Sequence, residues 1–317
     1  MHPEYLSYEQ RTPDSQPQDT LRLVRKHGKR SKTQQGEDSF SLPYPVVHVH
    51  PLSQGYPWCT LRNIRGSGFM SIDELQFMIN GEDSNEVLNK KYGVPFWNDT
   101  FKDPEKCRKR GLPPNTMGPA SYGPVLHHFP FHGWSFIDRL KALFFPQTFG
   151  FNQVQAVIDQ IKELPHLKTH IMTTLFPPGI FRGTGKVQKV VTVPCHGTVA
   201  LYLVLDGRLY LIMVQRSGDL LPAALNHNKI QWAAQLLMMA QITGYVPDTF
   251  SHVILNPHIY ERQLPYVDEV LSREPRPYPT VRINDPSIKD IFSFRKQHFT
   301  LEDYNPHSAI KGIPVSQ

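Results

Sequence analysis

VTVPCHGTVALYLVLDGRLYLIMVQRSGD, residues 191–219, holds two strand-like runs around one tight turn. ALYLVL and RLYLIMV are apolar and β-prone, and Asp206-Gly207 stands between them. That pair predicts a two-residue hairpin, because a type I′ turn needs positive φ at both central positions. Leu205 then pairs with Arg208. Carried outward, this register puts Cys195 opposite Gly218 and Arg216 opposite Gly197. A bulge would shift the register, but the two ends would still meet. Neighbouring strands lie roughly 5 Å apart, so the thiol is expected close to Gln215, Arg216, Ser217 and Asp219.

A cysteine beside a cation is a candidate thiolate, since positive charge favours the ionised sulfur. Arg216 and Ser217 suit a phosphate, which takes charge-assisted and hydroxyl hydrogen bonds. A nucleophile next to a phosphate grip points to covalent chemistry on a phosphorylated small molecule. The plain alternative is a small core cysteine, and spacing alone leaves both open.

The remaining sequence sets bounds. Its 317 residues are enough for one large domain or two small ones. No run approaches the length of a transmembrane helix. The start, MHPEYLSYEQRTPDSQPQD, lacks an apolar signal core. The three cysteines, Cys59, Cys107 and Cys195, have no metal-ligand spacing. Free thiols in a reducing, cytoplasmic setting are therefore expected. The net charge of +6 favours anionic partners. Its main cluster, RKHGKRSK at residues 25–32, reads as a solvated loop or as a nucleic-acid patch.

Residues 1–18 are polar and proline-punctuated, and are expected to form a flexible tail. DTLRLVRKHGK reads as a helix capped by Asp19, and SIDELQFMINGE as one capped by Ser71 and closed by Gly81. VVHVHP alternates like a strand. Residues 92–130 read as a long loop. FNQVQAVIDQIKEL and NKIQWAAQLLMMAQITGY are helical, the second with Ile230, Ala233, Leu237 and Ala240 on one face. HIMTTLF and FSHVILN read as strands, PYVDEVLSR as a helix, and PRPYPTVRI and FSFRKQHFTLEDY as late strands. The mixture without strict alternation predicts an α+β fold.

PCH at 194–196, QRSGD at 215–219, LNPHIYERQLPYVDEVLSREPRPYP at 255–279 and DYNPHSAIKGIPV at 303–315 form an ordered set. In order and spacing it resembles the thymidylate synthases and their pyrimidine hydroxymethylase relatives. The likeness covers nearly all of 151–317 and is traceable from Tyr56, through YPWCTLRN and DELQF. It implies a thymidylate-synthase-like catalytic domain over 19–317, with a large mixed β-sheet flanked by helices. It also implies a homodimer packed sheet against sheet, and 5,10-methylenetetrahydrofolate as cofactor.

The implied activity is one-carbon transfer to C5 of a pyrimidine nucleoside monophosphate. Cys195 would add to C6 and make C5 nucleophilic. Hydride from the folate would complete a methyl group, whereas water would give a hydroxymethyl group. Glu74 matches the family's buried acid. Trp97 matches the aromatic beside the reacting carbons. Tyr122 matches the tyrosine tied to loss of the C5 proton, although GPASYG is one residue longer than the family motif. Asp219 would hold the pterin, and His258 and Tyr260 the ribose. The resemblance casts His196 as supportive.

Base reading falls to an asparagine in the family's uracil users. An amide can donate to one ring-edge atom and accept from the next. Counting back from MMAQ selects Asn228, and counting forward from QRSGD selects His227. An insertion in a loop between them favours Asn228, and with it uracil. Lys168 and Thr169 stand where the family donates two arginines across its dimer, and lysine lacks the bidentate fork. Arg30 is the best substitute for the family's N-terminal phosphate loop. LPAALNH and the VSQ ending also depart from the pattern. The expectation is methylation of deoxyuridylate, with hydroxymethylation of a uridylate or cytidylate as the first rival. A nucleic-acid-binding relative without catalysis is the second rival.

Overall fold

The hairpin forms in the expected register. Val199–Leu205 pairs antiparallel with Arg208–Gln215, from Leu205 opposite Arg208 to Val199 opposite Val214. Asp206 and Gly207 take the positive φ of a type I′ turn, 49° and 73°. The computed structural model describes residues 2–33, 36–131, 137, 140, 141 and 150–315. Ser316 and Gln317 of the VSQ ending lie outside them.

Two sheets frame the site. The smaller contains β1 (Lys29–Lys32), β2 (Asp38–Ser41), β7 (Gly218–Asp219) and β9 (Pro257–Tyr260), in the order β1-β2-β9-β7. The larger contains β3 (Val46–Pro51), β4 (His170–Met172), β5 (Val199–Leu205), β6 (Arg208–Gln215) and β8 (Val246–Ile254). Its order is β3-β8-β6-β5-β4, with β6 and β8 parallel and the other neighbours antiparallel. A further pair joins β10 (Thr280–Ile283) to β11 (Phe299–Glu302). This mixed sheet with flanking helices is the α+β class read from the sequence.

Alternation gives the larger sheet two faces. The inner face carries Ala200, Tyr202, Leu209, Leu211, Met213, Phe250 and Ile254, all buried. On β3 the histidines His48 and His50 turn inward while Val47 and Val49 are exposed. The helix Lys229–Thr243 packs on the inner face, and residues 229–241 are buried on every side. The expected single apolar stripe is thus corrected: a helix apolar nearly all round belongs in the core. Gly244, at φ 84°, closes it in a left-handed cap.

Several local expectations change. The helix containing DELQF begins at Arg65 and ends at Ile79, so Ser71 is buried within it and bonds the Ser67 carbonyl instead of capping. The first helix, Gln16–His27, starts ahead of Asp19. The expected loop at 92–130 contains short helical turns at Asn98–Phe101, Glu105–Arg108 and Tyr122–His127. The expected flexible tail is docked along its described length. Arg11 donates to the Tyr278 carbonyl at 2.9 Å and to Thr280 Oγ1 at 2.7 Å, and Tyr5 Oη donates to the Val281 carbonyl. Gln18 bonds the carbonyls of Val270 and Arg273. A buried guanidinium with its donors satisfied fixes a segment that composition alone reads as loose.

Candidate active site

Beyond the hairpin the pairing shifts. Arg216 N donates to the Cys195 carbonyl at 2.9 Å, so these two residues face each other directly. The expected partners, Gly197 for Arg216 and Gly218 for Cys195, are thereby displaced. Gly197 allows the chain to turn from PCH into β5: its φ is 66°, and a Cβ there would sit 2.1 Å from the Trp232 ring. The Arg216 guanidinium holds the carbonyls of Pro194 and Val193 at 2.8 and 2.9 Å and comes within 3.6 Å of Cys195 Sγ.

The thiol itself points to the Val193 carbonyl, 3.5 Å away. Burial pushes its pKa up, Arg216 pulls it down, and Asp219 adds a smaller upward push. Burial wins, so Cys195 is held as a thiol and not as the thiolate expected from the adjacent cation. Tyr122 Oη accepts the Cys195 amide hydrogen at 2.6 Å, which pins the nucleophile's backbone. Burial holds the Tyr122 phenol protonated, with a pKa well above the usual tyrosine value. His196 stacks on Tyr122 and accepts from Trp232 Nε1 at 2.9 Å. Burial drops its pKa to about 3, so it stays neutral and serves as support.

A chain of hydrogen bonds runs from this junction through the core. Gln215, fully buried, donates to Asn228 Oδ1 at 3.0 Å and to the Ser217 carbonyl, and its own oxygen faces His252 Nε2 at 2.8 Å. Asn228 Nδ2 donates to Gln231 Oε1 at 3.3 Å. Gln231 Nε2 donates to Glu74 Oε2 and Trp97 Nε1 to Glu74 Oε1, each at 2.6 Å. Glu74 is therefore a buried acid and not an exposed helix carboxylate. Burial lifts its pKa to about 7 against the pull of the Trp97 and Gln231 bonds.

Asn228, not His227, lies in this chain. Residues Leu220–Asn228 form a π-helix that runs straight into the helix Lys229–Thr243. The extra residue expected in a loop is absorbed by wider, i to i+5 turns. Two side chains follow that spacing: Asn226 donates to the Leu221 carbonyl, and His227 Nδ1 bonds the Pro222 carbonyl. His227 Nε2 reaches Ser67 Oγ, which turns the ring towards another helix.

On the other side, β7 and β9 pair in parallel and set Asp219 beside His258. Gln263 donates to both Asp219 oxygens and to the Pro314 carbonyl, linking the C-terminal segment to the site. Burial lifts the Asp219 pKa to about 8. His258 Nδ1 bonds the Asn256 carbonyl, which leaves Nε2 for a ligand. Tyr260 is also buried, and its pKa rises to about 12. A cavity of about 1030 Å³ is lined by Glu37, Asp38, Phe96, Glu261, Arg262 and Ile313 among others, and none of Cys195, Trp97, Asp219 and His258 lines it.

Other expected residues fall elsewhere. Arg30 is held by Asp38 at 2.7 Å and Glu261 at 2.9 Å. Gln215, expected to bind substrate, faces inward, where it bonds Asn228 and His252. Lys168 is exposed just ahead of the edge strand β4, and no hydrogen bond or ion pair among the described residues joins it to Cys195. Gln231, Gln263 and His252 were not singled out in the sequence. Gln231 had a signal: it lies three residues after Asn228, about one helical turn on.

The thymidylate synthase family model matches residues 15–316, and the chain belongs to that family. The family's general chemistry is one-carbon transfer to C5 of pyrimidine nucleotides.

The thiol's electrostatics are directly measurable. Alkylation of Cys195 by iodoacetamide is expected to rise with pH, with an inflection above the ordinary cysteine value. Arg216→Gln should move that inflection higher still. Peptide mapping reads Cys195 apart from the buried Cys59 and Cys107. An inflection below the ordinary value would contradict the reading.

Proposed function

We propose that this chain methylates deoxyuridylate at C5, with 5,10-methylenetetrahydrofolate as one-carbon donor and a covalent adduct on Cys195. One observation carries the reading: a cysteine lies 3.6 Å from Arg216, and from the adjoining Gln215 a hydrogen-bonded chain runs through a buried amide to a buried acid.

In this reading a phosphate binds beside Arg216 and Ser217. Cys195 gives its proton to water and its sulfur forms a bond to C6. The ring's C5=C6 electrons move towards O4, and Glu74, with a pKa of about 7, supplies a proton through water. C5 is left as a carbon nucleophile. Asn228 holds the N3 and O4 edge. The C5 proton passes to water, which the Tyr122 hydroxyl, neutral and bonded to the Cys195 amide, can hold by a hydrogen bond. His258 and Tyr260 take the ribose. Bond cleavage at sulfur releases the product.

The far side of the site fits a folate. Asp219 has a pKa of about 8, so near neutrality it is protonated and can both donate to and accept from a pterin edge. Trp97, bonded to Glu74, offers an aromatic face to a flat ring. When bound, the folate supplies the one-carbon unit and, for methylation, the hydride.

A homodimer is part of this proposal. The outer face of the larger sheet carries exposed Val47, Val49, Ile171 and Val199, with Ile212 and Val214 between them. A continuous apolar sheet face calls for a covering layer. A second copy would cover it and bring Lys168 towards its partner's phosphate. Sedimentation should give twice the chain mass, and Val47→Lys should shift the protein towards monomer. A monomeric wild type would overturn this part.

Mass spectrometry of the nucleotide product tests the reaction. The protein is incubated with methylenetetrahydrofolate and each of deoxyuridylate, deoxycytidylate and their ribo forms. Methylated deoxyuridylate with release of dihydrofolate is expected. Cys195→Ser should abolish it, and Glu74→Gln should slow it by about 10²–10⁴. A hydroxymethylated product with release of tetrahydrofolate would assign the rival chemistry.

A further inference from the structure

The chain from Trp97 to His252 has anchors of fixed polarity at both ends. Trp97 Nε1 can only donate, so Glu74 Oε1 accepts. At the other end the Ser217 carbonyl can only accept, so the Gln215 amide nitrogen must face it. That same nitrogen then donates to Asn228 Oδ1, while the Gln215 oxygen takes the bond from His252 Nε2. In the middle, Gln231 donates to Glu74 Oε2 and accepts from Asn228 Nδ2. Each link agrees with both anchors when Glu74 carries its charge. Flipping the Asn228 amide would set Nδ2 against the Gln215 nitrogen and Oδ1 against the Gln231 oxygen. Two donors would face each other, and so would two acceptors.

An amide so held has one remaining lone pair and one remaining hydrogen for a ligand. Uracil offers a donor at N3 and an acceptor at position 4, and cytosine offers the reverse. The same asparagine matches one base in one flip state and the other in the opposite state. Base choice therefore depends on what prevents the flip.

We propose that Gln231 is a specificity-positioning residue that locks the Asn228 amide to the Glu74 carboxylate, so one side chain sets both base discrimination and the acid's proton affinity. This rests on Asn228 being the base reader, as proposed above. Gln231 acts through its neighbours and needs no contact with the substrate. Asp219, Tyr122 and the ring of His252 lie outside its two bonds.

The coupling has a direction. The Gln231 N–H stabilises charged Glu74, so its loss raises the acid's pKa. If Glu74 takes a proton on Oε2, the O–H meets the Gln231 nitrogen, donor against donor. Gln231 then turns, presents its nitrogen to Asn228, and disturbs the lock. Base discrimination is thus sharpest where Glu74 is ionised.

The test compares wild type with Gln231→Met, which keeps the volume but neither hydrogen bond, and Gln231→Glu, which keeps an acceptor for Asn228 and sets a second carboxyl against Glu74, where the pair shares one proton. Deoxyuridylate and deoxycytidylate binding is measured by calorimetry, and kcat/KM is followed against pH. Gln231→Met should cut the preference between the two bases by about tenfold, roughly the worth of one neutral hydrogen bond. It should also move the Glu74-dependent inflection to higher pH. Gln231→Glu should keep the preference and still move the inflection.

If Gln231→Met lowers binding of both bases equally and leaves the inflection in place, the residue is only structural and the proposal falls. If wild type shows no preference between the bases, the reading of Asn228 fails first and takes this proposal with it. Gln231→Ser, shorter and polar, repeats the comparison should the methionine variant lose its fold.

Discussion

The 2.9 Å hydrogen bond from the Arg216 amide to the Cys195 carbonyl closes the open end of the β5–β6 hairpin. It joins two segments twenty-one positions apart and sets a sulfur beside a guanidinium. The type I′ turn at the other end fixes the register, and Gly197 lets the chain leave it without striking Trp232. Because the hairpin is central in its sheet, its ends cannot move without repacking the helix Lys229–Thr243. That helix carries Gln231 and Trp232, and Asn228 sits at its start.

The acids and amides of the site answer one constraint, that a buried polar group is costly without a partner, whereas His252 Nδ1 and Ser121 Oγ are buried with none among the described residues. Glu74 satisfies it with Trp97 and Gln231, Asn228 with Gln215 and Gln231, and Asp219 with Gln263. Burial raises both acids, to about 7 and about 8, so near neutrality each is close to exchanging its proton. The same burial raises the thiol. Near neutrality these groups stand as a thiol beside a guanidinium, two acids close to exchanging their protons, and a neutral phenol.

Much of this was legible in the chain. Asp206-Gly207 between two β-prone runs decided the hairpin and its register, because few turns satisfy both φ values and strand twist. The order of the four motifs decided the family, and counting from the helix side chose Asn228. Other features left weaker traces. The two-residue displacement beyond Val199 comes from the turn at Gly197, whose φ no pattern states. The π-helix reads as an insertion, and single insertions look alike whether they swell a loop or a helix. The docking of residues 2–18 depends on where Arg11 finds the Tyr278 carbonyl and the Thr280 hydroxyl, 267 and 269 positions away, a non-local fact. The thiol's pKa depends on a contest between burial and charge, and a motif states only the charge. Gln231 matters through partners on separate segments, so only its place about one helical turn after Asn228 marked it.

The most direct test of the account is covalent. A fluorine at C5 cannot leave as a proton does, so turnover with a 5-fluorinated pyrimidine nucleotide and methylenetetrahydrofolate stops with the ring attached to the enzyme. Intact-protein mass and peptide mapping then locate the bond. The account predicts one nucleotide per chain on the peptide containing Cys195. An adduct on Cys59 or Cys107, or none with either the uridylate or the cytidylate analogue, would contradict it.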